Sequence, residues 1–408
     1  MTSVWYSRRL WLVLGIANLS AGVLIAMRPS QSADVQTVVQ WCRDWLIRGV
    51  SPYPGVDFRT NYPPYALALL SPLAIIPRPL LTVTWAITSA ALAAAVGWLA
   101  LKSTPFSSRG GQAVLIPVGM FLAWESVRVG LGLGQFTLVA LASGLAALAY
   151  RGTIGRGVLL GIAMIKPQVG VAFVLWAILE GSLTAVLIAA LPALLGTLAF
   201  AARLGESPLR VAATYGEIVR HEIAAPGFRQ GALELRPLVH GLIGQPAIAD
   251  TVHLGLVAGA LILLVLAHRR MSAANRALFL LPLTCLWTLM SVYHPAYDLV
   301  LLWPVLVAWS KWQVQVRRPG AIVVAAAAAV QLALIVDIPG LWWKLNGRVM
   351  FTDHDGLIAT AAQHFDRLLV LALFAAVITV SIRWQPPAVA AFTPRSLSEE
   401  GLIPQLPC

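Results

Sequence analysis

The sequence predicts an all-α, polytopic membrane protein with roughly a dozen transmembrane helices and an amphipathic helix in its first outer loop. Three observations lead there. Of 408 residues, 59% are hydrophobic and 11% charged, too few charges to coat a soluble surface of this size. Apolar stretches near bilayer length recur with no long polar domain between them. The basic residues stand in short loops between those stretches, where they hold loops in the cytoplasm. The net charge of +12 therefore points to membrane orientation and not to nucleic acid. Cys42, Cys285 and Cys408 fit neither a disulfide framework nor a metal motif.

Each element follows from its local chemistry. Arg8 and Arg9 precede an apolar run over Leu10–Met27, and no small-residue cleavage site follows, so this reads as an uncleaved first helix. In the polar stretch Arg28–Tyr62, an apolar stripe of Val35, Val38, Val39, Trp41, Cys42, Trp45 and Leu46 recurs near helical spacing. That predicts an amphipathic helix lying on the membrane surface. Gly49 and Pro52 end it. Pro63–Pro77 is apolar but only about 22 Å long as a helix, short for a span. Further spans are predicted at Leu80–Leu101, Gln112–Arg128, Phe136–Tyr150, Gly157–Ile165, Val169–Leu179, Leu183–Leu204, Val252–Ala267, Ala277–Tyr293, Tyr297–Trp309, Ala321–Ile338 and Leu368–Ile382. Residues 1–383 form one transmembrane domain. Residues 384–408, rich in Pro and Ser, form a disordered cytoplasmic tail.

Topology singles out two segments. Placing His268-Arg269-Arg270 and Lys311…Arg317-Arg318 inside also puts Lys102, Arg109, Arg151 and Arg156 inside. This parity requires Pro63–Pro77 to be re-entrant and Gly157–Leu179, broken at Pro167, to enter and return. Irregular backbone at membrane depth survives only where protein buries it or a wet cavity receives it. Of 17 acidic residues, 12 then fall in outer loops, so any chemistry faces outward on a multi-pass plasma-membrane protein.

Several polar groups are candidates for that chemistry. Asp34 opens the amphipathic helix, as a first-turn acid favoured by the helix dipole or as a base held at the membrane surface. Tyr53, Tyr62 and Tyr65 flank a Pro63-Pro64 turn, where aromatic rings stack on sugar or anchor the interface. Glu125 and Arg128 share a helix face and pair. Gln135, at a turn after Gly134, can donate to and accept from hydroxyls. Lys166, beside Pro167 at membrane depth, needs a partner, either a lipid phosphate or a carboxylate. His294 and Asp298 are four residues apart and within reach of one another. Arg229, Gln230, Arg236 and His240 lie in the large outer loop. No P-loop, Rossmann glycine run or metal-spaced cluster is present, so no cofactor or metal is expected.

The ordered series Asp34, Gly49…Pro52-Tyr53, Tyr62-Pro63-Pro64…Pro72-Leu73, Gly134-Gln135 and Gly161…Ile165-Lys166-Pro167 resembles glycosyltransferase family 87 of the C-type (GT-C) membrane glycosyltransferases. That resemblance implies a GT-C-like bundle that transfers a sugar, most commonly mannose, with inversion. The donor would be a polyprenyl phosphate sugar and the acceptor a glycolipid or lipoglycan of the cell envelope. It implies Asp34 as general base, with Asp57 a competitor for that role or an acceptor contact. Lys166, Arg229 and His294 would stabilise the donor phosphate. Tyr62 and Gln135 would hold sugar. Where family members carry Asn-Gln-Ser near an Arg, this chain has Arg229-Gln230-Gly231. A transporter or flippase of a lipid-linked sugar is the alternative. Transporters are often built of inverted repeats with broken helices in matching positions, whereas both irregular segments here lie in the first half of the chain.

Overall fold

A computed structural model describes residues 8–28, 33–53, 62–102, 112–224, 233–315, 321–336 and 364–384. Most of these residues are helical, with no β-strand among them. Asp57, Arg229, the Gln230-Gly231 pair and the tail after Trp384 lie outside them.

In chain order the helices are α1 (Arg8–Ala26), α2 (Ala33–Arg43, extended by a π-turn over Asp44–Arg48), α3 (Pro64–Leu70, followed by a 3-10 turn over Ser71–Ile75) and α4 (Arg78–Lys102). Next come α5 (Gln112–Leu122), α6 (Glu125–Leu133), α7 (Thr137–Ala149), α8 (Thr153–Ala163) and α9 (Pro167–Leu179). The remainder are α10 (Leu183–Leu204), α11 (Pro208–Ala224), α12 (Arg236–Ile243), α13 (Pro246–Arg270), α14 (Ala273–Ser291), α15 (Trp303–Gln315), α16 (Ala321–Val336) and α17 (Phe365–Arg383). A 3-10 segment, Ala296–Leu302, leads into α15.

Among the described residues, six helices are long and apolar enough to cross a membrane. The α5–α6 pair, bent by 56°, makes a seventh when counted as one broken span. The sequence predicted roughly a dozen. The difference lies in α7, α8, α9, α15 and α16, which have 13, 11, 13, 13 and 16 residues and are therefore only about 16–24 Å long. Helices α7, α8 and α9 pack against protein, so their apolar character reflects burial and not contact with both leaflets. Hydropathy cannot distinguish those two solvents. Helix α14 is buried nearly all round and forms the centre of the bundle.

Breaks and close approaches have identifiable partners. At the α5–α6 break, Asn18 Nδ2 donates to the carbonyls of Leu122 (2.8 Å) and Trp124 (2.9 Å). This satisfies groups that would otherwise face hydrocarbon. Gly15 meets Gly119, where a Cβ would stand 2.7 Å from the Gly119 carbonyl oxygen. Small residues at such crossings let transmembrane helices approach closely.

Helices α8 and α9 form the returning hairpin that parity required. Their ends away from the tip lie together, since Arg156 Nη1 donates to Ser182 Oγ at 3.0 Å and its other nitrogens reach the Tyr150 carbonyl. The ends of α4, α7 and α9 and the start of α14 meet at this same end, around a cavity of about 270 Å³ that includes Glu180 and Arg276. We call this the basic end. The tip of the hairpin, Met164–Lys166, points the other way, as do Gly134 and the α14–α15 connection.

Candidate functional site

The site is built where α2, the Gly134 turn, the hairpin tip and the 3-10 segment before α15 converge. Helix α2 does not rest its apolar face on lipid, as the stripe suggested. Val35, Val38, Val39, Cys42 and Trp45 are each at most 4% exposed and pack with α3, α4 and α10. Polar contacts hold the helix there. Arg43 donates to the Ala74 and Ile76 carbonyls at 2.8 and 2.7 Å. The Trp45 indole donates to the Phe200 carbonyl at 3.1 Å. Arg203 donates to the free carbonyls of Leu46 and Ile47 at the end of the π-turn. An orphan helix terminus is thereby satisfied by a cation, which the helix dipole also favours.

Once α2 is fixed, Asp34, Thr37 and Trp41 share its opposite face, three and seven residues apart. They line a cavity of about 300 Å³ together with Tyr62, Gln135, Lys166, Gln168, Tyr293 and Tyr297. Asp34 is half-buried in its first turn. Burial raises its carboxyl above the ordinary 3.8, against the opposing pull of the Gln135 hydrogen bond and the Lys166 charge. Of the three tyrosines raised by the sequence, Tyr62 alone lines the cavity. Tyr53 is buried, donates to the Tyr62 carbonyl at 3.0 Å and packs on Phe200. Tyr65 donates to the Met164 carbonyl at the hairpin tip at 2.8 Å.

A chain of polar contacts runs inward from Asp34. Gln135 Nε2 donates to Asp34 Oδ2, and Gln135 Oε1 accepts from Lys166 Nζ at 3.2 Å. Lys166 also donates to Thr137 Oγ1 and, at 2.8 Å, to Asp298 Oδ1. An ammonium has three N–H donors, and all three point at protein acceptors. The ammonium also lies 4.3 Å from the Tyr297 ring centroid, a cation–π contact. Thr137 Oγ1 donates to Asp298 Oδ1 at 2.7 Å. His294 Nδ1 lies 3.1 Å from Asp298 Oδ2, and a carboxylate neighbour places the proton on that nitrogen. Lys166, His294 and Asp298 are 2%, 0% and 0% exposed.

The carboxylate alternative for Lys166 is thus the one present in the structure, and His294 sits behind Asp298 without lining the cavity. Asp34, Tyr62, Gln135 and Lys166 meet at the cavity. Arg236 lies elsewhere, held by Asp250, which also meets His240. The sequence reading assigned no site role to Thr137, Gln168 or Tyr297, and it placed Trp41 in the apolar stripe of the amphipathic helix. It did hold a signal for the partner of Lys166. Two acids fell within predicted spans, Glu125 and Asp298. Glu125 has Arg128 three residues on and pairs with it, which leaves Asp298.

No group of three or more His, Cys, Asp or Glu residues able to hold a metal occurs among the described residues. The arrangement offers one accessible carboxylate, an aromatic wall and a buried cationic floor. That suits a polyhydroxylated ligand with an anionic neighbour. The profile of glycosyltransferase family 87 matches residues 60–295, more than half of the chain. The match covers Tyr62, Gln135, Lys166, Arg229 and His294 and begins after Asp34. No curated protein and no solved structure matches.

Proposed function

Because the chain belongs to glycosyltransferase family 87, we propose that this membrane glycosyltransferase moves a sugar from a polyprenyl phosphate donor to a glycolipid or cell-envelope glycan on the outer face of the plasma membrane. The observation that carries this reading is the single carboxylate of the cavity. Asp34 is the one acid lining it among the described residues, and its wall is aromatic. The basic end carries Arg156, Arg269, Arg270 and Arg276, which the positive-inside rule assigns to the cytoplasm. The cavity then opens outward, where a lipid-linked donor replaces a nucleotide sugar.

In this mechanism the acceptor hydroxyl attacks the anomeric carbon. Asp34 takes its proton as the new C–O bond forms. The bond from the anomeric carbon to the phosphate oxygen breaks, and its electron pair leaves with the lipid phosphate. One displacement inverts the anomeric centre. A double displacement needs a second carboxylate as nucleophile. Asp298, the acid linked to Asp34 through Lys166 and Gln135, has both oxygens bound by Lys166, Thr137 and His294 and is fully buried. Lys166 acts on the leaving phosphate through its field, which is strong in a site with little water. Direct contact would require it to release Gln135 or Thr137. Tyr62, Trp41 and Tyr297 offer stacking faces for sugar. Mannose is the first donor to try, and arabinofuranose the second. Arg229 and Asp57 retain the roles of phosphate and acceptor contacts on sequence grounds, and residues 384–408 that of a cytoplasmic tail.

The test uses protein in lipid nanodiscs with labelled polyprenyl-phosphate mannose or arabinose and an envelope lipid extract. A slower-migrating labelled product is expected from the wild type and not from Asp34→Asn. Product formed at the wild-type rate by the Asn variant would remove Asp34 as base. No product with either donor would count against the donor class.

A further inference from the structure

We infer that Gln135 is the positioning residue for the Asp34 carboxylate, and that Lys166 fixes which way the Gln135 amide points. The argument rests on donor and acceptor types. A primary amide presents one acceptor oxygen and one donor nitrogen. Lys166 only donates, so the amide atom facing it at 3.2 Å must be Oε1. An ionised carboxylate only accepts, so Nε2 must face Asp34 Oδ2. The flipped amide would set N–H groups against an ammonium and an oxygen against a carboxylate. Both contacts would be repulsive, so the charges on either side select one orientation.

The backbone supports the same arrangement. Gln135 is 6% exposed and follows Gly134, whose φ of 74° ends α6 in the left-handed region. Its N–H donates to the Gly130 carbonyl at 2.9 Å. Lys166 cannot swing away freely, because Thr137 and Asp298 hold its other two donors. Asp298 is in turn held by His294. Asp34 Oδ1 makes no hydrogen bond among the described residues and is left to the cavity that Asp34 lines. Gln135 therefore holds the carboxylate with one of its two N–H groups, and it lines the cavity with the remainder of its amide. This deepens the reading above, on which its catalytic consequence rests.

The groups acting on Asp34 are Gln135, Lys166 beyond it, and the hydroxyls of Tyr62 and Tyr297 on the neighbouring elements. Of these, the Gln135 donor and the Lys166 charge favour the ionised form.

The experiment is an infrared titration of the full chain in nanodiscs without substrate. The Asp34 carboxyl band is identified by difference from Asp34→Asn. Gln135→Leu is expected to raise the titration midpoint by about one pH unit, the effect of losing a donor to a charged acceptor. Gln135→Glu keeps an acceptor for Lys166 but sets a second carboxylate beside Asp34, so a two-step titration is expected. The double variant Lys166→Met, Asp298→Leu removes the orienting charge without leaving a buried ion unpaired, and should also raise the midpoint. An unmoved midpoint in Gln135→Leu together with one-step titration in Gln135→Glu would overturn the positioning role. An unmoved midpoint in the double variant alone would overturn the orienting role of Lys166. If the midpoints move as expected while Asp34→Asn still transfers sugar, the positioning stands and the base assignment fails.

Discussion

Lys166 and Asp298 are 132 residues apart in sequence and form a fully enclosed ion pair, Nζ to Oδ1 at 2.8 Å. The pair ties the hairpin tip to the segment before α15, so it fixes the floor of the cavity. Removing one partner leaves an uncompensated buried charge, which costs about 3–5 kcal/mol. Asp298→Leu is therefore expected to destabilise the protein by that amount in denaturant unfolding in detergent. Lys166→Met added to it should restore most of the loss, since an apolar pair of similar volume needs no desolvation of ions. Additive losses in the double variant would show that the pair acts through separate contacts.

Asp34→Asn is expected to abolish transfer without lowering stability at neutral pH. Burial raises the folded-state pKa of Asp34 above 3.8. A raised pKa means that the folded state binds the proton more tightly, so its stabilising effect is complete below the unfolded pKa. That effect is lost as pH rises through the folded value. At neutral pH the ionised carboxylate is a small liability that Asn lacks, and Asn Oδ1 still accepts from Gln135. Thermal unfolding at pH 4 and pH 7 checks the sign. The difference between wild type and variant should favour the variant more at pH 7.

Gly134→Ala should impair both stability and transfer. Its φ is 74°, and a Cβ would stand 2.7 Å from Val35 Cγ1, beside Asp34. The left-handed conformation alone costs about 1–2 kcal/mol for a residue with a side chain. Gly205→Ala is the control, with φ of 67° and nothing within 4 Å of its Cβ. Unfolding of both variants should show a similar conformational cost. The transfer assay should show a loss in Gly134→Ala alone, because only there is α2 displaced.

The hairpin predicts a labelling pattern. Thr153 and Ser182 flank α8 and α9 and lie at one end, since Arg156 bonds to Ser182. In a Cys408→Ser background, Thr153→Cys and Ser182→Cys should react with an impermeant thiol reagent from the same side of a sealed vesicle, the side that labels Ser272→Cys. Cys42 and Cys285 are buried and should remain silent. Labelling of Thr153→Cys and Ser182→Cys from opposite sides would mean that the segment crosses the membrane once.

The sequence by itself determined that lipid is the solvent, that the chain is helical, and that a hairpin breaks at Pro167. It also placed an acid directly after the first helix. These follow from composition and from properties of neighbouring residues, such as proline's missing N–H and the spacing of apolar side chains. Only the tertiary structure decided which apolar helices protein buries, because an apolar stretch reads the same whether lipid or protein covers it. For the same reason the stripe of α2 could not say that α3, α4 and α10 would bury it. The wiring of the site was also decided in three dimensions. Asp34, Gln135, Lys166 and Asp298 come from four separate parts of the chain. The cost of leaving a buried charge unpaired demands a partner for Lys166, and packing chose which carboxylate it would be.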